Sequence, residues 1–113
     1  MNLGSRARVA TDRPGRYGKQ LMSHFSRKIE TEWDDESQRG GCTFGTAVAQ
    51  LYSDGQALCF DVRAESPEDL ERCERVIARH LVKFGHRDGL RMDFERADGS
   101  AGFSFGPEDL PAQ

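Results

Sequence analysis

Four apolar residues, Tyr17, Leu21, Phe25 and Ile29, recur at four-residue intervals, with Met22 beside them. At about 100° per residue they form one stripe, which predicts an amphipathic helix ending near Ile29. A stripe of that kind must be buried against a second layer, so the rest of the chain has to supply one. Thr11 or Asp12 is placed to accept first-turn N–H groups. Pro14 suits the first turn because its missing N–H would be unpaired there anyway. Along one border of the stripe run Arg13, Arg16, Gln20, His24, Arg27 and Lys28, the densest positive run in the chain and nearly free of acids. The same stretch thus offers a packing face and a charged surface.

The covering layer reads as strands. Ala7, Val9 and Thr11 alternate with Arg6, Arg8 and Ala10, a short first strand with one face inward. Thr31 and Trp33 lie among acids, which suits a strand at a sheet edge, where charge discourages pairing with another chain. Residues 36–41 form a turn, and residues 42–52 are β-like, with Gly45 marking a bulge or bend. Asp54-Gly55 is the clearest hairpin signal. The return strand, residues 57–64, puts Leu58, Phe60 and Val62 on one face and Cys59, Asp61 and Arg63 on the other.

Ser66-Pro67-Glu68-Asp69 opens a second helix with an N-cap serine, an early proline and acids that suit the helix dipole. Leu70, Cys73, Ile77, Leu81 and Phe84 form its stripe, with His80 at the margin and Gly85 as the stop. Leu90, Met92 and Phe94 then alternate with Arg91, Asp93 and Glu95 as a last strand. The predicted order is β-α-β-β-β-α-β. Two amphipathic helices with half-apolar strands predict an α+β two-layer sandwich, an antiparallel sheet with both helices on one face. Residues 1–97 form the domain, and residues 98–113 are a short hairpin extension or a flexible tail.

At 113 residues the chain is one domain. Its net charge of −3 disfavours a general nucleic-acid binder, so the basic border is a local patch. No apolar run reaches a membrane span, and MNLGSRARVATDR lacks a signal-like apolar segment. Cys42, Cys59 and Cys73 show no CxxC spacing and are expected as reduced thiols in a cytoplasmic protein.

The segment VATDRPGRYGKQLMSHFSRK resembles the opening of the bacterial domain-of-unknown-function 2218 family, whose members begin T-D-R-P-x-R-Y-x-K-Q-L-x-S-H-F. SDGQALCFDV, SPEDLERCERVIARHLVKFGHRDGL and RMDF follow in similar order. The resemblance implies a small cytoplasmic α+β domain with an accessory role in iron or siderophore metabolism. Relatives often carry a second histidine where this chain has Arg27. They also often carry a cysteine in an F-G-x-G-x-C stretch, which here runs Phe44-Gly45-Thr46-Ala47-Val48-Ala49. A ligand set built on those groups with His24 would be incomplete in this chain.

Three functional expectations follow. Arg13, Arg16, Tyr17, Gln20, His24, Arg27 and Lys28 would hold an acidic small molecule or an acidic protein surface, because guanidinium forks grip carboxylate or phosphate at two points. Such a protein is a binding or accessory domain rather than an enzyme, with no cofactor. The alternative is a metal-binding or redox protein using His24, His80 and a cysteine such as Cys73, since histidine and cysteine are common ligands. The third is a homodimer through the open face of the sheet, where Cys59 would be a reactive thiol if Arg63 lowered its pKa.

Overall fold

The computed structural model describes residues 3–111. Seven strands and two helices follow in the order β1 (Leu3–Ala10), α1 (Pro14–Phe25), β2 (Thr31–Asp34), β3 (Arg39–Phe44), β4 (Ala47–Ser53), β5 (Ala57–Ala64), α2 (Pro67–Phe84), β6 (Met92–Arg96) and β7 (Ala101–Phe105). The strands form one sheet in the order β2-β3-β4-β5-β1-β6-β7, and each neighbouring pair is antiparallel.

Register explains the layers. Val9 lies opposite Leu58, Ala7 opposite Phe60 and Ser5 opposite Val62. Leu51 continues the Phe60 row and Ala49 the Val62 row. One sheet face is therefore apolar across its central strands, because a period of two keeps such residues together. Both helices lay their stripes on that face, and Leu21, Met22, Ile77 and Leu81 are all but inaccessible. Each such side chain contributes about 1.5–3 kcal/mol over an exposed one. The α+β class, the antiparallel sheet and the two helices on one side are as the sequence predicts, and β2 is an edge strand as its acids suggest.

Three local details differ. Residues 42–52 are not one bent strand: the chain folds back at Gly45-Thr46, so β3 and β4 are a hairpin. Gly45 has φ +58°, the left-handed conformation that glycine enters without strain and that a tight turn demands. The first helix stops at Phe25. Ile29 still reaches it through its N–H to the Phe25 carbonyl at 3.0 Å, but Ser26 turns its hydroxyl onto the Ser23 carbonyl at 2.7 Å, a local bond of the kind that competes with a regular helix end. Neither Thr11 nor Asp12 caps α1: Arg13 is the N-cap residue and no side chain caps the helix. Thr11 instead accepts the Arg13 N–H at 3.1 Å. In α2 the expected cap is made, with Ser66 accepting the Asp69 N–H at 3.2 Å.

Two close approaches position α1. A Cβ on Gly18 would lie 2.5 Å from the Trp33 ring, and one on Gly40 would lie 2.7 Å from it. The indole is thus held between helix and sheet where only hydrogen fits. At the other side of the molecule, fully buried Glu74 accepts from Arg96 at 2.9 Å and from the Phe103 N–H at 3.3 Å. That pair fastens β6 and β7 to α2, and satisfying the carboxylate from two sides is what makes its burial tolerable.

Candidate basic site along the first helix

The border residues of α1 fall into two groups. Around the first turn, exposed Arg13 approaches Asp12 at 3.9 Å. Arg16 is exposed, and no acid stands in this turn. Tyr17 is buried and donates its hydroxyl to Asp88 at 2.5 Å. Burial, then the Asp88 carboxylate, push its phenol above the usual tyrosine range. Its hydroxyl is therefore committed to the fold, tying α1 to the short turn after α2, and does not stand ready to support a ligand. Gln20 is exposed midway, while Lys19 is neutralised by Asp35 at 3.0 Å.

The end of α1 is different. His24 is half-buried, with its ring 5.0 Å from His80 and 5.3 Å from Phe84. Phe25 backs the pair, 5.1 Å from His80 and 5.2 Å from Phe44 of β3. His80 donates Nδ1–H to the Val76 carbonyl at 2.7 Å, which leaves its Nε2 as the unprotonated nitrogen of the neutral ring. Arg27 and Lys28 follow in the turn that leaves the helix, three and four residues after His24. Lys83 stands three residues after His80 on α2, where side chains share a face.

Burial, then His80, Arg27, Lys83 and Lys28, hold the His24 pKa below the usual histidine value. Among the described residues, Arg16, Arg27, Lys28 and Lys83 form no ion pair. The structure thus gathers His24, Arg27 and Lys28, leaves Tyr17, Arg16 and Arg13 about 10–17 Å from His24 at the 1.5 Å rise of a helix, and places Gln20 between. It adds Lys83, which the reading of the first helix alone did not include. Its spacing from His80 puts the two on one face of α2, but nothing in the sequence sets that face against α1.

The thiols are placed for packing. Cys42, Cys59 and Cys73 are free and buried, and burial pushes Cys42 up to about 12 and raises Cys73 as well. Cys59 is raised too, by burial and by Asp54, so the cation-activated thiol expected beside Arg63 is not formed. His24 and His80 meet, but Cys73 lies two turns away in the core. No group of three or more His, Cys, Asp or Glu able to hold a metal occurs among the described residues. The open face of the sheet forms a shallow cleft of about 810 Å³, with Arg6, Asp61, Arg63 and Glu95 along it.

A family model for an uncharacterised protein conserved in bacteria, DUF2218, matches residues 6–95. No curated protein matches the chain. Among solved structures, the NMR structure of PA4090 from Pseudomonas aeruginosa aligns with a TM-score of 0.68 at 24% identity, over 82% of this chain and 95% of that one. A phage SAM lyase in complex with S-methyl-5′-thioadenosine aligns at 0.47 and 12% identity, over 97% and 93%, and bears no functional weight. Among the described residues no helix is long and apolar enough to cross a membrane.

Proposed function

The chain belongs to the DUF2218 family of uncharacterised bacterial proteins, and from that premise we propose that it is a binding domain that holds an acidic ligand or the acidic surface of a partner along the exposed border of α1. One observation carries this reading: Arg16, Arg27 and Lys28 lack ion-pair partners among the described residues, in a chain whose net charge is −3. Acids are plentiful, yet none is spent on these three. Clustered cations repel, and an anion laid across them relieves that cost while guanidinium groups supply directed bonds. The helix length of about 18 Å suits an extended acidic segment. Anionic iron chelates, which the family resemblance suggests, would occupy one end of it.

Titration with an oligoglutamate peptide at low ionic strength tests the reading. Arg13→Ala with Arg16→Ala should leave the melting temperature nearly unchanged and weaken capture about tenfold, the effect of about 1.4 kcal/mol. Unchanged capture, or a large loss of stability, would overturn it.

A second reading, a homodimer through the open sheet face, is favoured by Val48 and Tyr52, the large apolar residues left 45% and 41% exposed there. Sedimentation at two concentrations checks it: a single monomeric species at both would exclude it.

A further inference from the structure

We infer that the seam between α1 and α2 at His24 and His80 binds a small oxyanion of the phosphate class, and that filling it draws a proton onto the imidazole pair. This rests on the anion-binding reading above and assigns one end of that border a ligand class and a response to pH.

Two imidazoles in contact are a common beginning of a metal site, so charge has to decide between cation and anion. The groups acting on His24 are His80 and Lys83 from α2 and Arg27 and Lys28 from the chain that leaves α1. Phe25 and Phe84 lie against His24, with Phe44 behind Phe25, and carry no charge. A divalent metal would sit among three fixed positive charges with two neutral ligands and no carboxylate to balance it. A dianion meets the opposite situation, with cations supplied by α2 and by the turn that leaves α1, and guanidinium N–H groups among them.

The proton follows from the same geometry. His80 and His86 each bond a backbone carbonyl, whereas His24 has no hydrogen-bond partner among the described residues. An oxyanion against His24 can accept from the one N–H of the neutral ring, but finds a second donor and a full positive charge only in the protonated one. It also cancels the surrounding positive field that, after burial, holds the ring's pKa down. Binding and protonation are therefore linked: anion affinity rises as pH falls, and histidine basicity rises as the anion binds.

The test is an NMR titration of the three histidines of the full chain, in inorganic phosphate and in chloride at equal ionic strength. The expected result is an upward shift of the His24 or His80 midpoint by about one unit in phosphate, the size an adjacent opposite charge imposes, with His86 as the exposed internal control. Lys83→Gln, at an exposed position, should at least halve that shift without unfolding the protein. Equal midpoints in the two salts, an equal shift at His86, or a shift that survives Lys83→Gln would overturn the inference. Unchanged oligoglutamate capture in the Arg13/Arg16 variant would instead strike the broader reading, which this titration does not address.

Discussion

At the first turn of α1, Arg13 and Arg16 stand beside a tyrosine whose hydroxyl is already given to Asp88; just past its last turn, Arg27 and Lys28 stand beside an imidazole with no carboxylate to meet it. The helix carries the same kinds of side chain at both ends, and the neighbours make them different. Asp12 and Asp88 supply acid to one end, and α2 brings Lys83 and a second imidazole to the other. A run of positive charge in a sequence thus does not define a site; the positions left uncompensated by the fold do.

The largest break in that comparison comes from Phe25, which is 6% exposed and backs both His80 and Phe44. Phe25→Ala should cost about 3–5 kcal/mol in urea unfolding, the usual range for a buried Phe→Ala change. It should also move the His24 titration while leaving the Tyr17 hydroxyl on Asp88. A loss below about 1 kcal/mol would mean that the aromatic cluster is surface decoration rather than core.

A smaller effect is expected midway. Gly18→Ala gains about 0.8–1 kcal/mol of helix propensity, yet its methyl would press on Trp33 at 2.5 Å. Overpacking of this kind costs about 1–3 kcal/mol, so a net loss of about 1–2 is expected. Chemical unfolding combined with Trp33 fluorescence reads it. Stabilisation would show that the indole moves aside and that the two ends of α1 are not held by a rigid middle.

Much of this was legible before any coordinates. Tyr17, Leu21 and Phe25 predict the buried face of α1, and the alternation in residues 57–64 predicts the faces of β5, because periods of 3.6 and 2 are local properties. What failed was local chemistry with two acceptable outcomes. Gly45 marks a break in extended chain, but whether a glycine makes a bulge or a hairpin depends on which strand accepts the returning segment. Thr11 and Asp12 are both good caps, yet neither takes that place. At the site, the approach of His24 to His80 and Lys83 required knowing how two helices cross, which no spacing within either one encodes. The commitment of Tyr17 to Asp88, across 71 positions, was equally out of reach.

Tyr17→Phe sharpens the contrast from the other end. It removes one bond and leaves the buried ring, so the expected loss is about 1 kcal/mol, with the titrations of His24 and His80 unchanged. Movement of those midpoints would show that the ends communicate.

The smallest and most specific difference is the direction in which pH disturbs each end. The Tyr17 pKa is raised in the folded protein, so its contribution is complete below the usual tyrosine value near 10 and is lost as pH rises through the folded value. The His24 pKa is lowered, so below about 6.5 the unfolded chain takes up a proton that the folded one resists, and stability falls as pH falls. Asp34, Asp54 and Asp69 are held below the usual carboxylate range, which places their losses in more acid solution, clear of the histidine window. Unfolding free energies should therefore decline from pH 7 to 5 in the wild type and flatten there in His24→Gln, while Tyr17→Phe flattens only the decline measured above about pH 10. An acid slope that persists unaltered in His24→Gln would move that response away from the end of α1, and with it the ground for treating the two ends as electrostatic opposites.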